Sequence, residues 1–161
     1  MQFNYLTSIP NYSKTIIIPF LESKQGVSYQ NININPIFFS GKKDEIYPTI
    51  VQEKKIICLG LGKEINYKSI QNSYRRLISK KNDWFIEEFS LVFPSFSNSI
   101  LVESAISGLI LGTYQIGHFK NDKKENPILK NGFNINIITE IDYKHEVSRG
   151  LKIANATKTA L

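Results

Sequence analysis

Residues 55–63, KIICLGLGK, constrain this chain more than any other stretch. Residues 55–59 are nearly continuously apolar, as in a strand covered on both faces, so the rest of the chain must supply the cover. The two glycines and the lysine that end the run have the outline of a phosphate-binding turn. A Walker loop, however, needs Gly-x-x-x-x-Gly-Lys-Ser/Thr, so that several amides converge on phosphate and a hydroxyl reaches magnesium. Here Gly60 and Gly62 are two apart and Lys63 is followed by Glu64. A dinucleotide fingerprint would want a third glycine where Ile65 stands. Gly60, Gly62 and Lys63 therefore read as a structural turn that supplies unusual backbone angles where a buried strand exits.

Around that strand, strand-like and helix-like segments alternate. Residues 15–20 are a β-branched run with Pro19 suited to a strand end or edge. Residues 32–39 alternate and then turn at Ser40-Gly41-Lys42-Lys43-Asp44. Asn66 or Ser69 can cap a helix carrying Ile70, Tyr74 and Leu77. Residues 84–93 alternate again and break at Pro94. The clearest helix follows, capped by Ser97 or Asn98, with Leu101, Val102, Ala105, Ile106, Leu109 and Ile110 at three- and four-residue steps. Ser104, Gly108 and Gly112 lie four apart on one side of it, which predicts close helix packing against the sheet. A polar loop over residues 120–132 leads to a strand over residues 133–139, and a last helix begins near Asp142.

This order predicts an α/β fold, a three-layer sandwich around a mostly parallel or mixed sheet with helices on both faces. The last helix meets no glycine or proline stop beyond Gly150 and reads as helix in mid-course. The expectation is one domain of a longer protein, with residues 1–141 as the domain and residues 142–161 as a helix leading onward.

The bulk numbers restrict function mainly by exclusion. With 161 residues, 42% hydrophobic and 21% charged, the composition is that of a globular protein. The 20 Lys and Arg against 14 Asp and Glu leave a net charge of +6, but the basic residues are scattered and mostly stand beside acids. A nucleic-acid contact, if one exists, would use Lys120, Lys123, Lys124 and Lys130 of the polar loop. Cys58 is the single cysteine, which excludes an intrachain disulfide, and with His118 and His145 far apart no Cys/His zinc cluster is spaced correctly. No Ser-His-Asp or Cys-His arrangement supports a nucleophile. Glu87 and Glu88 are adjacent and on a strand would face opposite ways. Glu103 falls near the start of its helix, where a negative charge is favourable. The residues thus assign no catalytic, cofactor or metal site. The N-terminus lacks a signal-peptide pattern, and no apolar run is long enough for a membrane span, so a soluble, cytoplasmic protein is expected.

Four segments, taken in order, resemble a known family. They are the turn from Ile56 to Lys63, then Tyr74-Arg75-Arg76-Leu77, then the helix from Glu103 to Tyr114 with His118-Phe119-Lys120, and last the run from Gly150 to Thr157. Together they are similar to the N-terminal domain of the leucyl aminopeptidase, or cytosol aminopeptidase, family. There a GLGK turn ends a core strand, a helix of the type EGALLGTYRFDRYK comes later, and an AxNxAR helix leads into the catalytic domain. The resemblance covers most of residues 50–161. Gln115 and Gly117 stand where an arginine and a polar residue are usual, and Lys158 and Thr159 replace the continuation toward ARDLVN.

The resemblance implies a macro-domain-like fold. It also implies a C-terminal catalytic domain in the same polypeptide and a homo-hexameric parent. The parent's two divalent ions, zinc or manganese, would be held around an NTDAEGR signature that this sequence lacks. Two-metal peptide hydrolysis needs several carboxylates around both ions, so the chain alone is expected to be inert. Two other readings remain: a free-standing ADP-ribose or nucleotide-binding macro-like module, suggested by the glycine turn, and a nucleic-acid-binding accessory domain.

Overall fold

The computed structural model of the chain describes residues 1–114 and 126–160. The strands are β1 (Gln2–Leu6), β2 (Thr15–Phe20), β3 (Val27–Tyr29), β4 (Ile32–Ile34), β5 (Ile46–Val51), β6 (Lys54–Gly60), β7 (Phe89–Val92) and β8 (Asn134–Ile138). The helices are α1 (Tyr67–Lys80), α2 (Ser99–Gly112) and α3 (Lys144–Ala160). Six strands form one mixed sheet in the order β1-β8-β7-β2-β6-β5, parallel except for the edge strand β5. β3 and β4 form a separate antiparallel hairpin.

Alternation along the strands divides the core. Ile57 and Leu59 of β6 point to one face of the sheet and Ile56 and Cys58 to the other. On the first face α1, α2 and α3 lie side by side with α2 in the middle. On the second face Val27 and Ile34 of the hairpin, with Phe39, close over Ile16, Ile18 and Phe20. The three layers are therefore helices, sheet, and a thin hairpin-and-loop layer. This corrects the expectation of helices on both faces, since among the described residues all three α-helices share one face.

Handedness explains the arrangement. The connections β6–α1–β7 and β7–α2–β8 both step toward the β1 edge, and right-handed crossovers in one direction must share a face. The connection β1–β2 steps the other way and covers the opposite face with Ile9, and the hairpin between β2 and β5 closes over the same face.

Local chemistry sets the boundaries. The Asn66 side chain accepts from the Ser69 amide and the Asn98 side chain from the Leu101 amide, each filling an orphan donor at a helix start. Pro19 sits inside the sheet without breaking it because the β2–β7 ladder has already ended at Ile17↔Leu91. The alternating residues 32–39 are not one strand. The chain leaves β4 at Ile34, and the Asn35 side chain accepts from the Ile37 amide to form a turn. Likewise residues 84–93 hold only the short β7, with a single 3-10 turn at Asn82–Trp84 before it.

Two helix contacts depend on missing side chains. A Cβ on Gly108 would lie 2.2 Å from the Gln71 carbonyl oxygen, and one on Gly112 would lie 2.6 Å from that of Arg75. The small-residue side of α2 thus faces α1, not the sheet. On its other flank α2 receives α3 at Gly150, where a Cβ would lie 2.8 Å from the Glu103 oxygen. Val147 and Ala154 of α3 are buried in the same core.

Candidate functional site

The glycine turn lies at the carboxyl end of β6, beside a shallow depression bordered by Glu22, Lys43, Lys63 and Glu64. Its amides are already committed. Gly60 N–H donates to Glu45 O (2.8 Å), Leu61 N–H to Phe20 O (2.9 Å) and Gly62 N–H to Gly41 O (3.0 Å). A phosphate would find these three amides already occupied, and the two lysines at the depression are matched by two carboxylates. Only Gly62, at φ +86°, uses the left-handed region. Gly60 is needed for a different reason, since a Cβ there would lie 1.9 Å from the Lys42 carbonyl oxygen. The 41–45 segment is pressed onto the turn and tied to α1. Asp44 accepts from Ser73 Oγ at 2.6 Å and pairs with Arg76 at 2.7 Å. Lys63 is exposed at the rim.

The titratable residues singled out in the sequence are not brought together. Glu103 lies in the second turn of α2, not the first, and links the three helices. Tyr67 of α1 donates to its Oε1 at 3.4 Å, and Arg149 of α3 approaches its Oε2 at 3.7 Å. Glu87 and Glu88 are on the loop before β7, not on a strand. His145 is exposed on α3, and His118 lies outside the described residues. Cys58 is fully buried, and burial pushes its thiol up to about 12, which makes it an inert core residue. Among the described residues no three His, Cys, Asp or Glu side chains group as a metal ion would require.

Of the proposed nucleic-acid contacts, Lys120, Lys123 and Lys124 lie outside the described residues. Lys130 is exposed, and its carbonyl accepts from the Met1 ammonium at 2.9 Å.

A constellation not marked by any motif sits where the parallel strands end. A cleft of about 470 Å³ opens above the carboxyl ends of β1, β2, β7 and β8, the side of an α/β sheet where ligands gather. Tyr29, Phe93, Phe96 and Tyr143 give it aromatic walls, and Glu140 stands at its edge. The only signal for it in the sequence was positional: Phe93-Pro94 and Thr139-Glu140 directly follow two strands.

The chain is similar to two curated proteins. Over 142 residues it is 28% identical to a probable cytosol aminopeptidase of Clostridium perfringens, covering 76% of this chain and 28% of that protein. Over 93 residues it is 30% identical to a probable cytosol aminopeptidase of Treponema denticola, covering 54% and 20%. The chain thus spans less than a third of the length of the curated relatives it matches. No family model matches. Among solved structures, a mutant tomato leucine aminopeptidase superposes over 98% of this chain and 37% of its own, with a TM-score of 0.70 at 12% identity. The bottromycin maturation enzyme BotP, in complex with Mn, superposes over 90% and 30%, with a TM-score of 0.62 at 11% identity. At those identities the structures speak for the fold, and the two aminopeptidase sequences for kinship. Taken together they make this chain similar in sequence to a part of cytosol aminopeptidases and in fold to a part of a leucine aminopeptidase.

Proposed function

We propose that the chain serves as the non-catalytic N-terminal domain of a metal-dependent leucyl aminopeptidase, an enzyme that releases N-terminal amino acids from peptides. Its roles are in oligomer assembly and in shaping access to an active site carried by a C-terminal domain of the same polypeptide. The two divalent ions, the chemistry and the hexamer contacts of the catalytic part belong to that domain. A cytoplasmic location goes with the same reading.

The observation that carries the proposal is that sequence similarity and fold point independently to one kind of protein, and each to a fraction of it. The arrangement of acids agrees with it. Asp44, Glu45 and Glu103 are engaged with Arg76, with backbone amides and with Arg149, respectively. The ADP-ribose alternative loses support from the committed amides of the glycine turn.

Two measurements test the proposal. Sequencing the gene past the codon for Leu161 is expected to show an open frame running into an NTDAEGR-like signature; an immediate stop codon would sink it. The purified chain is expected not to hydrolyse leucyl-p-nitroanilide in manganese buffer. Turnover abolished by chelator would show that the chain is itself catalytic.

A further inference from the structure

We propose that the cleft above the ends of β1, β2, β7 and β8 binds a monocationic organic amine with a flat apolar body, the ammonium at Glu140 and the body among Tyr29, Phe96 and Tyr143. The proposal does not depend on the aminopeptidase reading.

The cleft's volume, about 470 Å³, suits a small molecule. Its walls are held in place. The Tyr143 hydroxyl donates to Ser97 O at 3.2 Å, and its ring meets Phe93 edge-on with centroids 6.4 Å apart. The turn that presents Glu140 is also fixed. Thr139 N–H donates to Leu6 O at 2.9 Å, and Thr139 Oγ1 accepts from the Ile141 amide at 3.1 Å. The site is thus largely formed before a ligand arrives, which limits the ordering that binding must impose.

Charge selects the ligand. Among the described residues Glu140 is the lone carboxylate of the lining, and no lysine or arginine joins it. A phosphate or carboxylate ligand would face that negative charge uncompensated. An ammonium gains a charge-assisted hydrogen bond from the carboxylate and attraction from the aromatic faces. The Tyr29 hydroxyl is pushed to higher pKa, first by burial and then by the Glu140 charge, so it stays protonated and available for hydrogen bonding.

Three indoles of similar size and different charge test the idea on the intact chain by amide chemical-shift titration: tryptamine, the neutral alcohol tryptophol and the anion indole-3-acetate. Tryptamine is expected to shift the amides of Gln30, Phe96 and residues 139–143. Tryptophol should bind about tenfold more weakly, the size of one charge-assisted contact, and indole-3-acetate should not bind. Glu140→Gln should erase the difference between tryptamine and tryptophol. Tyr29→Ala should weaken both, which keeps the aromatic wall under separate test. The proposal is overturned if indole-3-acetate or ADP-ribose shifts these amides as strongly as tryptamine. It is also overturned if tryptamine moves only amides elsewhere or none up to millimolar concentration, or if Glu140→Gln leaves the tenfold ratio intact.

Discussion

Replacing Gly60 by alanine should be among the most damaging small changes available to this chain, and the reason is distance. The new methyl would lie 1.9 Å from Lys42 O, 2.8 Å from Gly41 C and 2.9 Å from Lys42 C. All three are backbone atoms, so no rotamer change relieves the clash. For the methyl to reach an ordinary contact of about 3.5 Å the 41–45 segment must retreat by roughly 1.5 Å. That movement breaks Gly60 N–H to Glu45 O, Asp44 N–H to Gly60 O and Gly62 N–H to Gly41 O.

Three hydrogen bonds at about 1 kcal/mol each, with about 1–3 kcal/mol of overpacking and about 1 kcal/mol returned through a stiffer unfolded chain, leave a loss of about 3–5 kcal/mol. A domain of this size has about 5–15 kcal/mol in total. Gly62→Ala is the control. There the nearest atom is Lys43 Cβ at 3.3 Å, and the damage is the φ of +86°, a strain of about 1–2 kcal/mol. Urea unfolding followed by the fluorescence of Trp84, the lone tryptophan, measures both. A Gly60→Ala loss under about 1 kcal/mol, or one smaller than that of Gly62→Ala, would refute the close-approach argument.

Three further outcomes are expected. Gly108→Ala should lower stability by about 2–4 kcal/mol by forcing α2 away from Gln71 O, and its unfolding midpoint reads this directly. Tyr74→Phe should leave stability unchanged or raise it by about 1 kcal/mol, because the buried hydroxyl has no hydrogen-bond partner among the described residues; a loss above that would reveal one. Cys58 should resist a thiol reagent at pH 8 until the chain unfolds. Since the folded thiol titrates near 12 against an ordinary 9.0, the unfolded chain loses its proton first, and stability should fall as pH rises from about 9 toward 12. Cys58→Ala should make that fall shallower, and an unchanged pH dependence would count against it.

What could be read from the sequence was whatever local periodicity encodes. The unbroken run at residues 55–59, the capped helices after Asn66 and Asn98, and the alternation in residues 133–139 correspond to β6, α1, α2 and β8. The edge strands were harder. β5 carries Pro48 in its middle, which interrupts the alternation but is tolerated at an edge. β1 places Asn4 on its inner face, where it donates to Asn136, a pairing 132 residues away that no local window contains. The number of layers followed from the order of elements, but the face of each helix did not. That depends on the strand order, which is a property of long-range pairing. The cleft was hidden for the same reason: Tyr29, Phe96 and Glu140 come from three connections and meet only once the sheet has formed.

The asparagine on β1 belongs to a longer polar line. Asn4 donates to both Asn134 and Asn136, Asn136 donates to Ser90 Oγ, and Ser90 is hydrogen-bonded to Ser13 Oγ at 2.7 Å. Asn136 and Ser90 are completely buried. The line crosses β1, β8 and β7 on the face away from the helices, at the level where purely apolar strands would slide past each other at little penalty. A slip of β8 by one residue would turn Asn134 and Asn136 beneath α2 and α3, where their amides would have no partners. These side chains therefore act as a key for alignment: they add little to the depth of the native state and raise the energy of its misaligned neighbours.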